Sequence, residues 1–425
     1  LVTAPPRAAL APLLKIALRN LLKNRRRSLY AMLAIALGYA AVNVFGGFTR
    51  YINSNLRDSF IYNQGNGHLT VFRAGFLEKG MLDPERYLLT ESEIDSLLGM
   101  LRATPEVLLA TPQLYVSGIL SNGRASTIFI AAGRVPSDMA VVRSQAPGML
   151  ARFIPYQGRA LEDDESYGVG LSSGLAAMLE LGTGSSAVAV APTIDGQINA
   201  LDAEVFQIFE SPIELLNDKL MIVPLRFAQD LFATPRADRI TVLLHRTGRT
   251  EAVHETLAGR LAAEGMDMEI RSWEQMSSMY RKVRNMFDII FLFLFVIVLV
   301  ISVMSVVNTI NMAVMERVRE IGTLRALGMR RDRIVWLFAA ESAALGILGS
   351  AVGLLITLAA WWGVRAAEPS WVPPMITQRI PLEIYIVPLY LWVSFGFLIA
   401  LSVVSATMPA RRAVRQGIVD ALGHV

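Results

Sequence analysis

Few residues in this chain of 425 are of the types that carry out covalent or metal chemistry. Cysteine is absent, which excludes thiol catalysis, thiolate metal sites and disulfides. None of the four histidines stands at the H-x-x-x-H or H-x-H spacing of a metal centre. None of the five lysines follows a glycine, so the Gly-Lys-Ser/Thr end of the usual ATP phosphate-binding loop is missing. We therefore expect no catalytic residue, metal or cofactor on this chain. If ATP powers the protein, ATP and its magnesium must be bound by another polypeptide.

The composition of the chain is typical of a membrane protein. Hydrophobic residues make up 53% of the chain and charged residues 18%, and the mean hydropathy of +0.43 is too high for a soluble protein. The sequence pI near 9.4 could indicate nucleic-acid binding, but the basic residues lie beside apolar runs. We expect membrane lipids as partners, and no nucleic acid.

Four apolar stretches reach the roughly 20 residues, at about 1.5 Å each, that cross a hydrocarbon core about 30 Å thick. They are residues 29–48, 289–315, 334–362 and 385–408, and Pro409 is expected to end the last one. The first stretch begins too far into the chain for a signal peptide, so we interpret it as a retained helix.

Arginine and lysine give these spans an orientation, because positively charged loops stay in the cytoplasm. Residues 1–28 carry seven basic and no acidic residues, and residues 316–333 carry six arginines against three acidic residues. Residues 409–425 are also basic, whereas residues 363–384 hold two basic and two acidic residues. Both termini and the 316–333 segment are therefore predicted to be cytoplasmic, and the 363–384 loop external.

Residues 10–23 place leucines on one helical face and lysine and arginine on another. This pattern predicts an amphipathic helix in the inner-leaflet interface. A plain basic flank before the first span is the alternative.

The long excursion between the first two spans, residues 49–288, is predicted to be a folded extracytoplasmic α+β domain. Strand-like runs alternate with helical patterns and are separated by turn signals. The strand-like runs are 67–72, 113–120, 126–133, 186–192 and 240–245, and the helical patterns are 91–104, 172–181 and 250–265. We expect two lobes, one from about residues 116–222 and one from the segments nearest the membrane.

The segment between the second and third spans carries a dense pattern of charge and glycine. Residues 316–328 read E-R-V-R-E-I-G-T-L-R-A-L-G, which resembles the E-R-x-x-E-I-G-x-L-R-A-x-G signature of the FtsX-like ABC permeases. That family includes the macrolide exporter and the lipoprotein-releasing permeases. An A-x-R-N-L entry at residues 17–21, Glu341 early in the third span, and the order of the spans also match.

The resemblance implies a membrane protein with four transmembrane α-helices in a 1 + 3 arrangement. Between helices 1 and 2 it implies a large extracytoplasmic α+β domain of the macrolide-exporter periplasmic type. The chain would be a non-catalytic permease of the bacterial cytoplasmic (inner) membrane, moved by a separate cytoplasmic ABC ATPase dimer.

The resemblance also implies that the 316–333 segment contains the coupling helix, which docks into the ATPase and passes its motion to the periplasmic domain. The residues expected at this contact are Glu316, Arg317, Arg319, Glu320, Gly322, Arg325 and Gly328.

Glu341 lies roughly 10 Å along the third span at about 1.5 Å per residue. An ionised carboxylate exposed to lipid there would be costly, so we expect it to face protein, pair with a cation or be neutral. Arg317 and Arg325 are the expected partners. An interfacial position near the inner headgroups is the alternative.

Small residues in the third span are spaced for close helix contact. Gly346, Gly349 and Gly353 are predicted to lie in the contact of a helix bundle or of a permease dimer. Asn308, near the inner end of the second span, is expected to form a hydrogen bond between helices.

Residues just outside the second span include Met276, Met279, Met286 and Phe287. We expect these side chains to pack against neighbouring spans. A soft apolar surface for lipid or acyl chains is the alternative, because methionine adapts to irregular partners.

Within the family, we expect release or export of lipoproteins or lipids from the outer face of the inner membrane. The alternatives are a drug or peptide efflux permease, and a cell-division-type regulator of periplasmic cell-wall hydrolases. The working dimer would contain a second permease copy or a paralogue. A periplasmic adaptor or a lipoprotein carrier is a further expected partner.

Overall fold

The structure is a computed structural model and describes residues 25–147, 155–372 and 379–414. The predicted amphipathic helix at 10–23 lies outside the described residues, as does the side chain of Glu320. The helices are α1 (Arg25–Asp58), α2 (Phe76–Lys79), α3 (Pro84–Tyr87), α4 (Glu91–Arg102), α5 (Pro136–Ser144), α6 (Ser173–Met178), α7 (Leu225–Phe232), α8 (Thr250–Ala263), α9 (Trp273–Met276), α10 (Ser278–Glu316), α11 (Val318–Ala326), α12 (Arg331–Ala367) and α13 (Pro388–Ala413). The strands are β1 (Leu69–Arg73), β2 (Val107–Ser121), β3 (Ser126–Arg134), β4 (Tyr156–Gly158), β5 (Gly168–Ser172), β6 (Ser186–Pro192), β7 (Ile198–Phe209), β8 (Leu220–Pro224), β9 (Arg239–Leu244), β10 (Met268–Ser272), β11 (Ser370–Trp371) and β12 (Ile380–Pro381).

The chain forms two compact units. The membrane unit comprises Leu1–Ile52, Arg284–Pro369 and Leu382–Val425, and the α+β domain comprises Asn53–Val283 and Ser370–Pro381. Helices α1 and α10 each begin in one unit and end in the other. The chain also passes between the units on either side of residues 370–381.

Four helices of the described chain, α1, α10, α12 and α13, are long and apolar enough to cross a membrane. They differ in how much protein covers them. Helix α10 is the most apolar, with a mean hydropathy of 3.3, but only 11% of its apolar window is buried, against 39% for α12. Most of the α10 surface is therefore left for lipid or for another polypeptide.

The fourth membrane helix differs from the sequence prediction at both ends. It begins at Pro388 instead of Tyr385, because proline suits the first turn of a helix, where an amide hydrogen would have no partner. The expectation that Pro409 ends this span is wrong, since α13 continues through it to Ala413. A proline removes one backbone hydrogen bond, and membrane helices tolerate that loss when neighbouring groups satisfy the freed carbonyl.

A hydrophobic core joins the four membrane helices. Each helix contributes at least one fully or nearly fully buried side chain, among them Tyr39 of α1, Ile310 of α10, Phe338 of α12 and Leu398 of α13. The unit is thus a packed bundle, with α10 as its least covered member.

A ten-stranded sheet forms the frame of the α+β domain, in the order β10-β1-β9-β2-β3-β8-β5-β7-β4, with β6 paired to β2 and β7. The long strand β2 belongs to both halves: residues 107–113 pair antiparallel with β9, and residues 114–121 pair antiparallel with β3. The lobe boundary expected near residue 116 therefore falls inside one continuous strand.

Three hydrophobic cores of the described residues include strands of this sheet. The first includes Phe129 and Phe227, the second includes Leu97 and Leu257 from helices α4 and α8, and the third includes Leu243 of β9. Helix α4 starts where its sequence indicates, because Thr90 and Glu93 form a reciprocal capping box.

Candidate functional site

Two backbone breaks isolate the helix α11 between the second and third membrane helices. Arg317 lies between α10 and α11 with φ −119° and ψ 18°, and Gly328 follows α11 in the left-handed region at φ +88°. A β-carbon at Gly328 would be strained by that φ, so the signature glycine fixes the turn into α12. The sequence pattern thus folds into a short helix with a defined start and stop.

Helix α11 has one face packed in the membrane unit and one face exposed. Val318 and Ile321 are 5% and 6% exposed, and Ile321 belongs to the membrane core. Arg319 and Thr323 are exposed, and Leu327 just beyond the helix is 80% exposed. An apolar anchor and an accessible, basic outer face are therefore combined within nine residues.

The candidate coupling residues divide between these two faces. Gly322 is buried with the anchor, whereas Glu316 lies exposed at the end of α10 and Arg325 is partly exposed at the end of α11. These residues lie close together because they belong to one stretch, 316–328. Their role at an ATPase contact stays a prediction.

A buried ion pair links this segment to the third membrane helix. The Nη1 of Arg317 donates to Oε1 of Glu341 at 2.9 Å, and the two side chains are only 14% and 5% exposed. Glu341 therefore faces protein and has a cation as partner. Removing one member of a buried pair costs roughly 3–5 kcal/mol, because the other charge is left uncompensated.

The small residues of α12 contact two different helices of the same chain. A β-carbon added at Gly346 would lie 3.1 Å from Ile399 Cα of α13. One added at Gly349 would lie 2.8 Å from Ile35 Cβ, and one at Gly353 would lie 2.7 Å from the Ala36 carbonyl oxygen, both on α1. These glycines allow α12 to pack closely between α1 and α13.

Asn308 does not lie in the packed interior of the membrane unit. Its side chain is exposed on α10, as is that of Asn311 one turn later. The described chain thus leaves two amide side chains on the least covered membrane helix.

The side-chain hydrogen bonds between α1 and α13 are not predicted from the sequence. Nδ2 of Asn43 donates to Ser394 Oγ at 2.9 Å, and the hydroxyl of Tyr39 donates to the Leu391 carbonyl at 3.1 Å. The signal was present, since Tyr39 and Asn43 stand one turn apart inside the first apolar span. The sequence gives no indication of which helix holds their partners.

One motif of the α+β domain resembles a hydrolase pattern. Residues 170–174 read G-L-S-S-G and place Ser172 at the end of β5, directly before α6. Ser172 has ordinary extended backbone angles, φ −65° and ψ 148°, and is fully buried. Its hydroxyl has no hydrogen-bond partner among the described residues. A buried serine without a base does not form a nucleophilic site.

A buried histidine in the α+β domain is held neutral. The backbone N–H of Leu244 donates to Nδ1 of His68 at 3.1 Å, so Nε2 carries the ring hydrogen and donates to Thr247 Oγ1 at 2.9 Å. Burial lowers the pKa of His68 to about 4, and the charge of Arg57 acts in the same direction. His68 is therefore a satisfied core residue at neutral pH.

Comparison with protein families identifies both parts of the chain. The model of the FtsX-like permease C-terminal region matches residues 292–418, and that of the MacB-like periplasmic core domain matches residues 28–259. The chain belongs to the FtsX-like ABC transporter permeases of the MacB type. The expected fold class is confirmed: four transmembrane helices, with a large α+β domain of the MacB periplasmic type between the first helix and the later ones.

Curated relatives of this permease include exporters. ABC transporter permease YtrF of Bacillus subtilis is 30% identical over 146 residues, 32% of each chain. The macrolide export ATP-binding/permease protein MacB of Hyphomonas neptunium is 28% identical over 48% of this chain and 30% of its own length. The pyoverdine export ATP-binding/permease protein PvdT of Pseudomonas syringae pv. tomato is 27% identical over 49% of this chain. The alignments span about a third of each relative's length, at 32%, 30% and 30%.

Two solved structures also resemble the permease. The periplasmic region of MacB from Actinobacillus actinomycetemcomitans matches with a TM-score of 0.34 at 16% identity, over 50% of this chain and 91% of that one. The extracellular domain of YknZ from Gram-positive bacteria matches with the same TM-score and identity, over 48% and 100%.

Proposed function

We propose that this permease is the membrane subunit of an ABC complex in which a separate cytoplasmic ATPase dimer acts on α11. Both termini and the α11 segment lie in the cytoplasm in this proposal, and the α+β domain lies in the periplasm. The observation that carries it is the division of α11 into a buried anchor of Val318 and Ile321 and an exposed basic face.

The ion pair of Arg317 and Glu341 supports a path for the motion. A partner that moves α11 would move α12 with it, because separating the buried pair is costly. Helix α12 would in turn move α1, against which Gly349 and Gly353 pack closely. Helix α1 leads directly into the α+β domain along the chain.

Charge reversal in the segment tests this coupling. We expect Arg325→Glu to lower the ATPase stimulation caused by the permease about tenfold or more, since disrupting a charge pair at an interface costs ~2–5 kcal/mol. The measurement is ATP turnover of the isolated ATPase with and without the permease in nanodiscs. The control is Arg365→Glu, an exposed arginine near the other end of α12. Equal stimulation by both variants would remove α11 from the contact.

The exposed face of α10 supports a second permease as partner. Asn308 lies about 9 Å from the middle of the 289–315 span at ~1.5 Å per residue, which is inside a half-thickness of about 15 Å. An amide side chain there is stable when another helix offers it a hydrogen bond. We propose that α10 of the second subunit covers this face.

Cysteine cross-linking tests the α10 contact, because the chain has no cysteine of its own. We expect Asn308→Cys to form disulfide-linked dimers in native membranes, while Leu355→Cys, 66% exposed on α12, stays monomeric. If the partner is a paralogue, a disulfide forms only when that chain has a cysteine opposite position 308, and it then links two chains of different mass. Monomeric Asn308→Cys under oxidising conditions would exclude the α10 contact between two copies of this chain.

The cargo that we propose is a lipoprotein or lipid of the outer face of the inner membrane. Efflux of a small molecule is the second candidate, and the names of the macrolide and pyoverdine export relatives favour it. Mass spectrometry of the complex purified in detergent separates the two. Co-purified acylated protein supports the first, and transport of a macrolide or siderophore into proteoliposomes without acylated cargo supports the second.

A further inference from the structure

A cavity of about 180 Å³ lies in the α+β domain between three stretches that are far apart in the chain. We call it the base cavity, because its walls include residues at the end of α1 and just after it, and residues just before α10 and in its first turn. It is lined by Leu56, Ser59, Phe60, Gln64, Pro212, Ile213, Met276, Ser277, Ser278, Met279 and Tyr280.

The backbone around the base cavity is irregular on both sides. After α1 the chain forms a π-helical turn, Ser59–Asn63, a conformation that is rare and frequently found at functional sites. On the other side Ser277 leaves the helical region, with φ −85° and ψ 89°, between α9 and α10. Tyr280 is held beside this break by an edge-on contact with Trp273 at 4.7 Å between ring centroids.

The lining chemistry favours an apolar occupant. None of the lining side chains is charged, and six of the eleven lining residues are apolar: Leu56, Phe60, Pro212, Ile213, Met276 and Met279. Methionine side chains adapt to flexible partners. An apolar cavity of about 150 Å³ in another protein is large enough to bind benzene, so the base cavity accommodates a short length of hydrocarbon.

Charge and position indicate the rest of the molecule. Arg281 and Lys282 follow the lining residue Tyr280 directly, and both are exposed. Leu56 lies eight residues beyond the end of the predicted first span at Phe48, about 12 Å along a helix at ~1.5 Å per residue. An amphiphile anchored in the outer leaflet is therefore within reach, with its anionic headgroup near the two cations.

We propose that the base cavity binds the end of an acyl chain, carried by an amphiphile whose anionic headgroup lies at Arg281 and Lys282. The proposal rests on the proposed function for the side of the membrane on which the cavity lies. An acyl chain can come from a bilayer phospholipid or from a lipidated protein, and both present the same hydrocarbon to the cavity.

Photolabelling of the full chain in nanodiscs tests the proposal. The probe is a phosphatidylglycerol with a diazirine at the terminal carbon of one acyl chain, and labelled sites are mapped by peptide mass spectrometry. We expect label in the peptides that contain Phe60 and Met279. Met279→Trp should reduce it about tenfold or more, since the indole fills the space that the chain end occupies.

The matched control is Met286→Trp, seven residues further along α10 and 49% exposed, which does not line the cavity. It should leave the label at Phe60 unchanged. Ile213→Trp, at a lining residue from a different stretch of the chain, serves as a second variant should Met279→Trp not fold. Label restricted to the exposed apolar part of α10, or equal label at Phe60 in the wild type and both cavity variants, would overturn the proposal.

Competition separates the two sources of the chain. Displacement of the label by a synthetic diacylated lipopeptide, with no effect of the unacylated peptide, assigns the site to lipidated protein. Displacement only by added phosphatidylglycerol assigns it to bilayer lipid. Labelling requires no ATPase, so failure of the Arg325→Glu experiment and failure of this one are distinguishable.

Discussion

Glu341 in the membrane unit and His68 in the α+β domain are both almost completely buried, at 4% and 0% exposed, yet they are accommodated in opposite ways. Glu341 has a cationic partner, Arg317, at 2.9 Å. His68 has no ionised partner within hydrogen-bonding distance among the described residues and accepts one backbone N–H bond instead.

His68 and Glu341 have different partners because different hydrogen-bonding groups surround them. The end of strand β9 presents a backbone amide to His68, and a neutral imidazole with both nitrogens bonded needs no further compensation. A carboxylate inside a helix bundle finds every nearby backbone amide already used by the helix itself. A charged side chain from another segment is then the available partner, which connects the site to α11.

The largest effect is expected from breaking the membrane pair on one side. Glu341→Ala or Arg317→Ala should lower the free energy of unfolding by about 3–5 kcal/mol, because a buried charge loses its partner. Denaturant unfolding in detergent micelles measures this change. The control is Glu106→Ala, whose exposed pair with Arg249 has a 3.7 Å separation and should contribute at most about 1 kcal/mol.

The double variant Arg317→Met with Glu341→Leu separates the effect of the ion pair on stability from its effect on ATPase stimulation. A well-packed apolar replacement of both charges should recover most of the stability. Loss of ATPase stimulation in this stable variant would show that the pair transmits motion. Full stimulation would contradict the path through α12.

An intermediate effect is expected from acidification at His68. Its folded pKa of about 4 lies below the ordinary value of 6.5, so the unfolded chain binds the proton first. The contribution of neutral His68 to the free energy of unfolding is fully present above pH 6.5. It decreases as the pH falls towards 4 and changes no further below pH 4. The total loss is about 3 kcal/mol at ~1.4 kcal/mol per pKa unit.

The measurement is unfolding of the full chain by denaturant between pH 7.5 and pH 4. His68→Gln removes the titrating group and should flatten this part of the profile, whatever its effect on stability at pH 7.5. An unchanged pH profile in that variant would mean that His68 is not held neutral by burial.

The smallest effect is expected at the helix contacts of α12. Gly353→Leu should destabilise the membrane unit by about 1–3 kcal/mol, because its side chain would overlap the Ala36 carbonyl and Tyr39 of α1. The matched control is Gly363→Leu on the same helix, where a β-carbon would meet nothing within 4 Å. Equal thermal stability of the two variants in detergent would contradict the close packing of α12 on α1.

Much of the architecture was predictable because it depends on local properties. Membrane crossing requires length and apolarity, which residues 289–315 show without reference to any other segment. The limits of α11 were also encoded locally, since Gly328 is suited to the left-handed turn that ends it. The expectation that Pro409 ends the fourth span is wrong. Whether a helix continues through a proline depends on the groups that surround the backbone carbonyl left without its hydrogen bond, and residue spacing does not specify them.

The family, the four membrane helices and the segment with the coupling signature can be predicted from the amino-acid sequence, because each is a property of residues close together in the chain. The pairing of Glu341 with Arg317, the packing of Gly349 and Gly353 on α1, and the meeting of three distant stretches at the base cavity are seen only in the folded chain. Contacts between distant segments depend on how whole helices pack, and hydropathy and residue spacing do not specify that packing.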